Sequence, residues 1–116
     1  MELSDRERQL LLAVIERILP ADEVPHVAQE KVAEHVLGKM QPDAEPLKQW
    51  LLGLSRESFS VLGGDFAEMH VGMRDEILDR IEAGNCRTDW GMDPTDFFGR
   101  IIEAVGKAYR ELYPAQ

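Results

Sequence analysis

Residues 3–22 read LSDRERQLLLAVIERILPAD, and the fold class turns on this stretch. Ser4 followed by Glu7 is a capping-box sequence: the serine hydroxyl accepts an orphan backbone N–H, and the glutamate reaches back to the serine N–H. Leu3, just ahead of the cap, can close over the first turn as a hydrophobic staple. Leu10, Leu11, Val14, Ile15, Ile18 and Leu19 then recur at the three-and-four spacing of one helical face. Arg6, Glu16 and Arg17 fall outside that face and are expected to meet water. Pro20 ends the helix, because a proline disfavours helical geometry in the residue before it. The stretch is a buried amphipathic helix with a firm stop, and it says nothing of function.

The same reading extends outward. After Pro20 the acidic connector ADEVP leads to a second helix over His26–Lys39, launched by Asp22 or by the turn at Pro25. Val27, Val32, Val36, Leu37 and Met40 are expected to face inward there, with Gly38 and Pro42 softening the end. Asp43 is expected to cap a third helix, in which Pro46 is tolerated because first-turn N–H groups have no helical partner. Leu47, Trp50, Leu51 and Leu54 form its apolar stripe, which continues less firmly through Val61 and Leu62 to the stop at Gly63-Gly64. Asp65 opens a short turn carrying Phe66 and Met69.

A fourth helix near Val71–Ala83 places Met73, Ile77, Leu78 and Ile81 inward and Arg74, Asp75, Asp79 and Arg80 outward. Gly84 ends it, since glycine can take the left-handed conformation. Asn85–Met92 is a loop holding Cys86 and Trp90. Asp93-Pro94-Thr95-Asp96 starts the last helix with a cap, a first-position proline and an acid near the positive helix end. Phe97, Phe98, Ile101, Ile102, Val105 and Tyr109 are its expected buried side, and it ends around Tyr113-Pro114. No stretch alternates with period two for long enough to be a strand, and no internal repeat is present. The sequence therefore predicts an all-α fold, a compact bundle of about five helices forming one domain over residues 1–116.

Composition narrows the partners. The 116 residues are 44% hydrophobic and 30% charged, a balance that suits a folded globular domain. A formal net charge of −9 argues against nucleic acid and against anionic membrane surfaces, which repel an acidic chain. No run approaches the roughly 18 apolar residues of a membrane span, so no direct membrane insertion is expected. The single cysteine, Cys86, excludes an internal disulfide framework. Glu2, Asp5 and Glu7 near the start do not suit a signal peptide, and no twin-arginine pair is present. The chain as written reads as cytoplasmic; a chain from which a leader had been removed would read the same and be periplasmic.

No catalytic, cofactor-binding or metal-binding constellation emerges. His26 and Glu30 lie four apart on a helix, a spacing that could hold a metal from one face, but His35 projects well away from His26. Neither HExxH nor the paired Glu-x-x-His pattern of di-iron bundles occurs. Ser55, Ser58 and Ser60 sit in no G-x-S-x-G elbow. Gly63-Gly64 has no preceding strand and no following Lys-Ser/Thr, so it is a helix breaker rather than a phosphate loop. The acidic residues are scattered and are expected to solvate the surface.

The aromatics offer core or partner contacts. Trp90 lies in the loop, outside any helical periodicity. Phe97 and Phe98 are adjacent and so point about 100° apart, and Tyr109 and Tyr113 share a face of the last helix. Trp90, Phe98, Tyr109 and Tyr113 are candidate partner-interface anchors, because tryptophan and tyrosine are favoured there. On that reading Trp90→Ala or Tyr109→Ala weakens partner binding more than thermal stability.

Taken in order, several segments resemble the gluconate 2-dehydrogenase subunit 3 family, the small subunits that accompany flavin-dependent sugar and alcohol dehydrogenases. The matching features are Leu3-Ser4 opening a helix into Ile18-Leu19-Pro20-Ala21-Asp22, and Gly53-Leu54 in the third helix. Gly64-x-Phe66 leading into Arg74, Leu78 and Ile81-Glu82-Ala83-Gly84 is a further match, as is Phe97-Phe98 opening a helix that carries Tyr109. The resemblance implies a non-catalytic accessory subunit that binds, stabilises or helps to mature a large subunit. That large subunit holds the FAD, often beside a cytochrome subunit, and no cofactor is expected in this chain. Three departures stand out: no twin-arginine leader, Pro25-His26-Val27 in place of the usual proline-glycine-alanine turn, and a short tail at Tyr113-Pro114-Ala115-Gln116. Two other readings stay open: a self-associating helical domain without a dehydrogenase, and a metal-binding bundle using His26, Glu30, His35 or His70.

Overall fold

Five α-helices and one turn of 3-10 helix, described for residues 3–20, 22–40 and 44–114, make up the computed structural model. The helices are α1 (Asp5–Ile18), α2 (His26–Lys39), α3 (Ala44–Leu62), α4 (Val71–Glu82) and α5 (Pro94–Leu112), with the 3-10 turn at Phe66–Glu68 between α3 and α4. The all-α expectation holds, and α2 has the bounds the sequence predicts. Asp43, expected to cap α3, and Pro42, expected to soften the end of α2, lie outside the described residues. The Cα radius of gyration is 13.5 Å, close to the value of about 13 Å for a compact chain of this length.

Local physics accounts for the ends. Ser4 and Glu7 form the capping box in both directions, at 3.1 and 2.7 Å, and Leu3 is buried in the core. Asp93 accepts from the backbone N–H groups of Thr95 and Asp96, with Pro94 in the first turn. The end of α4 is a Schellman motif: Asn85 N–H donates to the Arg80 carbonyl, Gly84 N–H to that of Ile81, and Gly84 has φ +73°. Gly63, at φ +71°, ends α3.

One core joins all five helices. α1 lies centrally and touches each of the other four and the 3-10 turn. Leu11, Val14, Ile15, Val32, Val36, Trp50, Leu51, Leu54, Phe66, Ile77, Ile81, Ile101 and Val105 are fully buried. Two expected core positions are exposed instead: Val27 is 61% exposed and Ile102 36%. Each lies at the margin of its helix's apolar face, where solvent reaches it.

The central place of α1 also changes its charged side. Arg17 donates to both oxygens of Asp75 on α4, at 2.7 and 3.0 Å. Arg6 donates to Asp65 at 2.8 Å, and Glu16 lies 3.6 Å from Arg74. Arg6, Glu16, Arg17, Arg74 and Asp75 were expected to face only water; they are instead interhelical contacts, because neighbours flank α1 on its polar side too.

Candidate partner interface

The polar residue that most shapes this end of the molecule is Glu57. It continues the Leu47–Trp50–Leu54 stripe of α3 and is fully buried. Its carboxylate accepts from Arg87 N–H at 2.6 Å, Thr88 N–H at 2.9 Å, the Thr88 hydroxyl at 2.6 Å and the Trp90 indole at 3.3 Å. Burial alone would raise its pKa, but these four donors outweigh burial and hold it below the ordinary glutamate range. Glu57 thereby fixes the loop between α4 and α5. Nearby Cys86 is pushed up to about 11, first by burial and then by the Glu57 charge, which favours the protonated thiol.

The fixed loop carries Trp90 into the core, where it is 4% exposed. Its ring lies 5.6 Å from that of Trp50, which in turn stacks on Phe98 at 5.6 Å and tilts against Phe97 at 6.5 Å. Phe97 and Phe98 point apart along α5, yet both are buried because Trp50 is wide enough to meet the two rings. The Trp50 indole also donates to the Pro94 carbonyl at 3.1 Å, and Thr95 Oγ1 donates to the Ile81 carbonyl at 2.6 Å. Trp90 and Phe98 are therefore core residues, which corrects their placement as surface anchors. Aromatic type alone could not separate these roles.

Tyr109 and Tyr113 do reach the surface. Their rings lie 5.4 Å apart, Tyr109 half-buried and Tyr113 38% exposed. They belong to a row that sequence reading missed: Gly99, Ile102, Gly106, Tyr109 and Tyr113 recur at spacings of three, four, three and four along one flank of α5. That spacing is the seam along which one helix meets another. A Cβ at Gly99 would meet no atom within 4 Å, so its small size is not required by packing within the chain. Leu52 and Phe59, seven apart on α3, are each 52% exposed and form a second apolar pair on the surface.

The histidines serve local structure. His70 caps α4, its Nδ1 accepting from Gly72 N–H at 3.1 Å. His26 lies 3.2 Å from Glu30, and His35 lies 2.8 Å from Glu111 of α5. Among the described residues, no three His, Cys, Asp or Glu side chains are grouped to hold a metal ion. None of their helices is long and apolar enough to cross a membrane.

Fold and surface together define a small helical domain with a braced aromatic core and a partly exposed apolar row on α5. The family model for gluconate 2-dehydrogenase subunit 3 matches residues 5–110. The chain belongs to that family, which is one of small subunits of a dehydrogenase complex. Comparison with curated proteins gives no match, and comparison with solved structures gives none either. Two of the residues that carried the resemblance, Gly53 and Arg74, have structural explanations. A Cβ on Gly53 would come 2.5 Å from Trp90 Cδ2. Arg74 holds the 3-10 turn by donating to the Phe66 and Ala67 carbonyls at 3.2 and 2.6 Å.

Proposed function

We propose that this protein is a non-catalytic accessory subunit that binds and stabilises the FAD-bearing large subunit of a sugar or alcohol dehydrogenase, with a cytochrome subunit as a further member of the complex. Family membership over residues 5–110 carries the reading. The Ile102–Tyr109–Tyr113 flank of α5 supports it as the docking surface, because exposed apolar side chains at seam spacing suit a partner helix. On this reading the flavin and the oxidation belong to the large subunit, and the accessory chain supplies a rigid surface.

The test is a pull-down of the tagged protein from its host, with mass spectrometry and a flavin absorbance scan of the eluate. A yellow eluate holding a large flavoprotein in about equal amount is the expected result. A colourless protein that elutes alone overturns the proposal.

A further inference from the structure

The outer face of α3 combines two exposed apolar side chains with arginines held beside them. Leu52 and Phe59, each 52% exposed, lie seven residues apart, nearly two turns along one line of the helix. Arg56, exposed, stands between them, while the neighbouring acid Glu57 is turned into the core. Two further arginines are tied to the flanks of this line from other elements. Arg87, from the loop between α4 and α5, donates to the Ser60 carbonyl at 3.2 Å, and Arg6 of α1 donates to Ser55 Oγ at 3.3 Å. The Arg87 backbone is itself anchored, because its N–H donates to Glu57. Acids also border the face: Arg6 holds Asp65 at 2.8 Å, and Glu7 and Glu45 lie near Lys48 and Leu52 at the start of α3. The half of the face around Phe59 is therefore the cationic half.

We infer that this face of α3 docks an acidic amphipathic helix of a partner protein. Apolar side chains of that helix cover Leu52 and Phe59, and its carboxylates reach Arg56 and Arg87. Charge complementarity selects the occupant. A second copy of this chain fits poorly: pairing Leu52 with Phe59 about a two-fold axis puts residue 56 of one copy opposite residue 55 of the other, so the two Arg56 side chains meet at the axis. A bilayer or a nucleic acid is an extended anionic surface and meets the net charge of −9 of the whole chain. A single helix lies within the Debye length of about 8 Å from the arginines and is screened from the more distant acids. The face lies on a different helix from the Ile102–Tyr113 row and does not rest on the dehydrogenase reading.

The probe is a synthetic helical peptide, blocked at both ends, with leucines along one line and glutamates beside them. It is titrated into the full chain at constant ionic strength and followed by amide chemical shifts, next to one version with lysine for every glutamate and another with alanine for every leucine. Saturable shifts at residues 52, 55, 56, 59, 60 and 87 are expected with the acidic peptide, and binding at least fivefold weaker with either control. Arg56→Glu weakens the acidic peptide about tenfold and tightens the lysine peptide about threefold. Lys31→Gln, on α2, leaves both unchanged. Because Arg56→Glu gains affinity for the lysine peptide, unfolding cannot imitate its effect. Shifts that do not saturate, equal binding of the acidic and lysine peptides, or no gain for the lysine peptide in Arg56→Glu each overturn the inference. So does sedimentation of the chain with phosphatidylserine vesicles, which would make the face a membrane contact.

Discussion

The ring of Trp90 rests directly against the backbone of Gly53, leaving no room for a side chain between them. Gly53→Ala should therefore destabilise the protein, although alanine favours the helix by about 1 kcal/mol. Overpacking against a ring held by Trp50 costs about 1–3 kcal/mol, and the net loss should be about 1 kcal/mol. Urea denaturation checks this; a variant as stable as the parent would mean that Trp90 shifts freely.

Glu57→Gln should cost more, about 2–4 kcal/mol, because its amide turns donors toward donors already in place and leaves buried groups unsatisfied. The pH dependence follows from the depressed pKa of Glu57. Its contribution is full above the ordinary glutamate value of 4.5 and is lost as pH falls through the lower folded value. Urea midpoints measured from pH 6 down to pH 2 should fall less steeply below 4.5 in Glu57→Gln than in the parent. Parallel curves would place the acid sensitivity elsewhere.

Asp75 is held low first by the Arg17 hydrogen bond, yet its side chain is 46% exposed. Solvent screening limits such a pair, so Asp75→Asn should cost only about 0.5–1 kcal/mol. A double-mutant cycle with Arg17→Ala measures the coupling, which should shrink in high salt.

Partner capture should separate surface from core. Tyr113→Ala should keep the melting temperature within about 2 °C of the parent while reducing recovery of the flavoprotein. Trp90→Ala should lose about 3–5 kcal/mol through the cavity it leaves. If Leu52→Ser with Phe59→Ser abolishes capture and Tyr113→Ala does not, docking is on α3 instead.

The helices were legible because caps, stops and apolar spacing act within a few residues. Ser4, Gly84 and Asp93-Pro94 each do locally what their chemistry dictates. The role of Glu57 was not legible, although its position on the Trp50–Leu54 stripe offered a signal: an acid on an apolar face needs donors. Periodicity gives the face of a residue but not the loop that will meet it. Trp90 has no periodicity to read, and the partly exposed Ile102–Tyr113 row of α5 was hidden by its glycines. Arg17 and Asp75 were misplaced for a different reason. A helix at the centre of a bundle has neighbours on its polar side as well.

The tryptophan cluster also gives the molecule an optical gauge. Trp50 and Trp90 are its two tryptophans, 5.6 Å apart and shielded from water. Their emission therefore reports the junction of α3, the Asn85–Met92 loop and α5 as one unit. Loosening the loop should move that light to longer wavelength, whereas a colourless helix laid along Ile102, Tyr109 and Tyr113 should leave its colour unchanged.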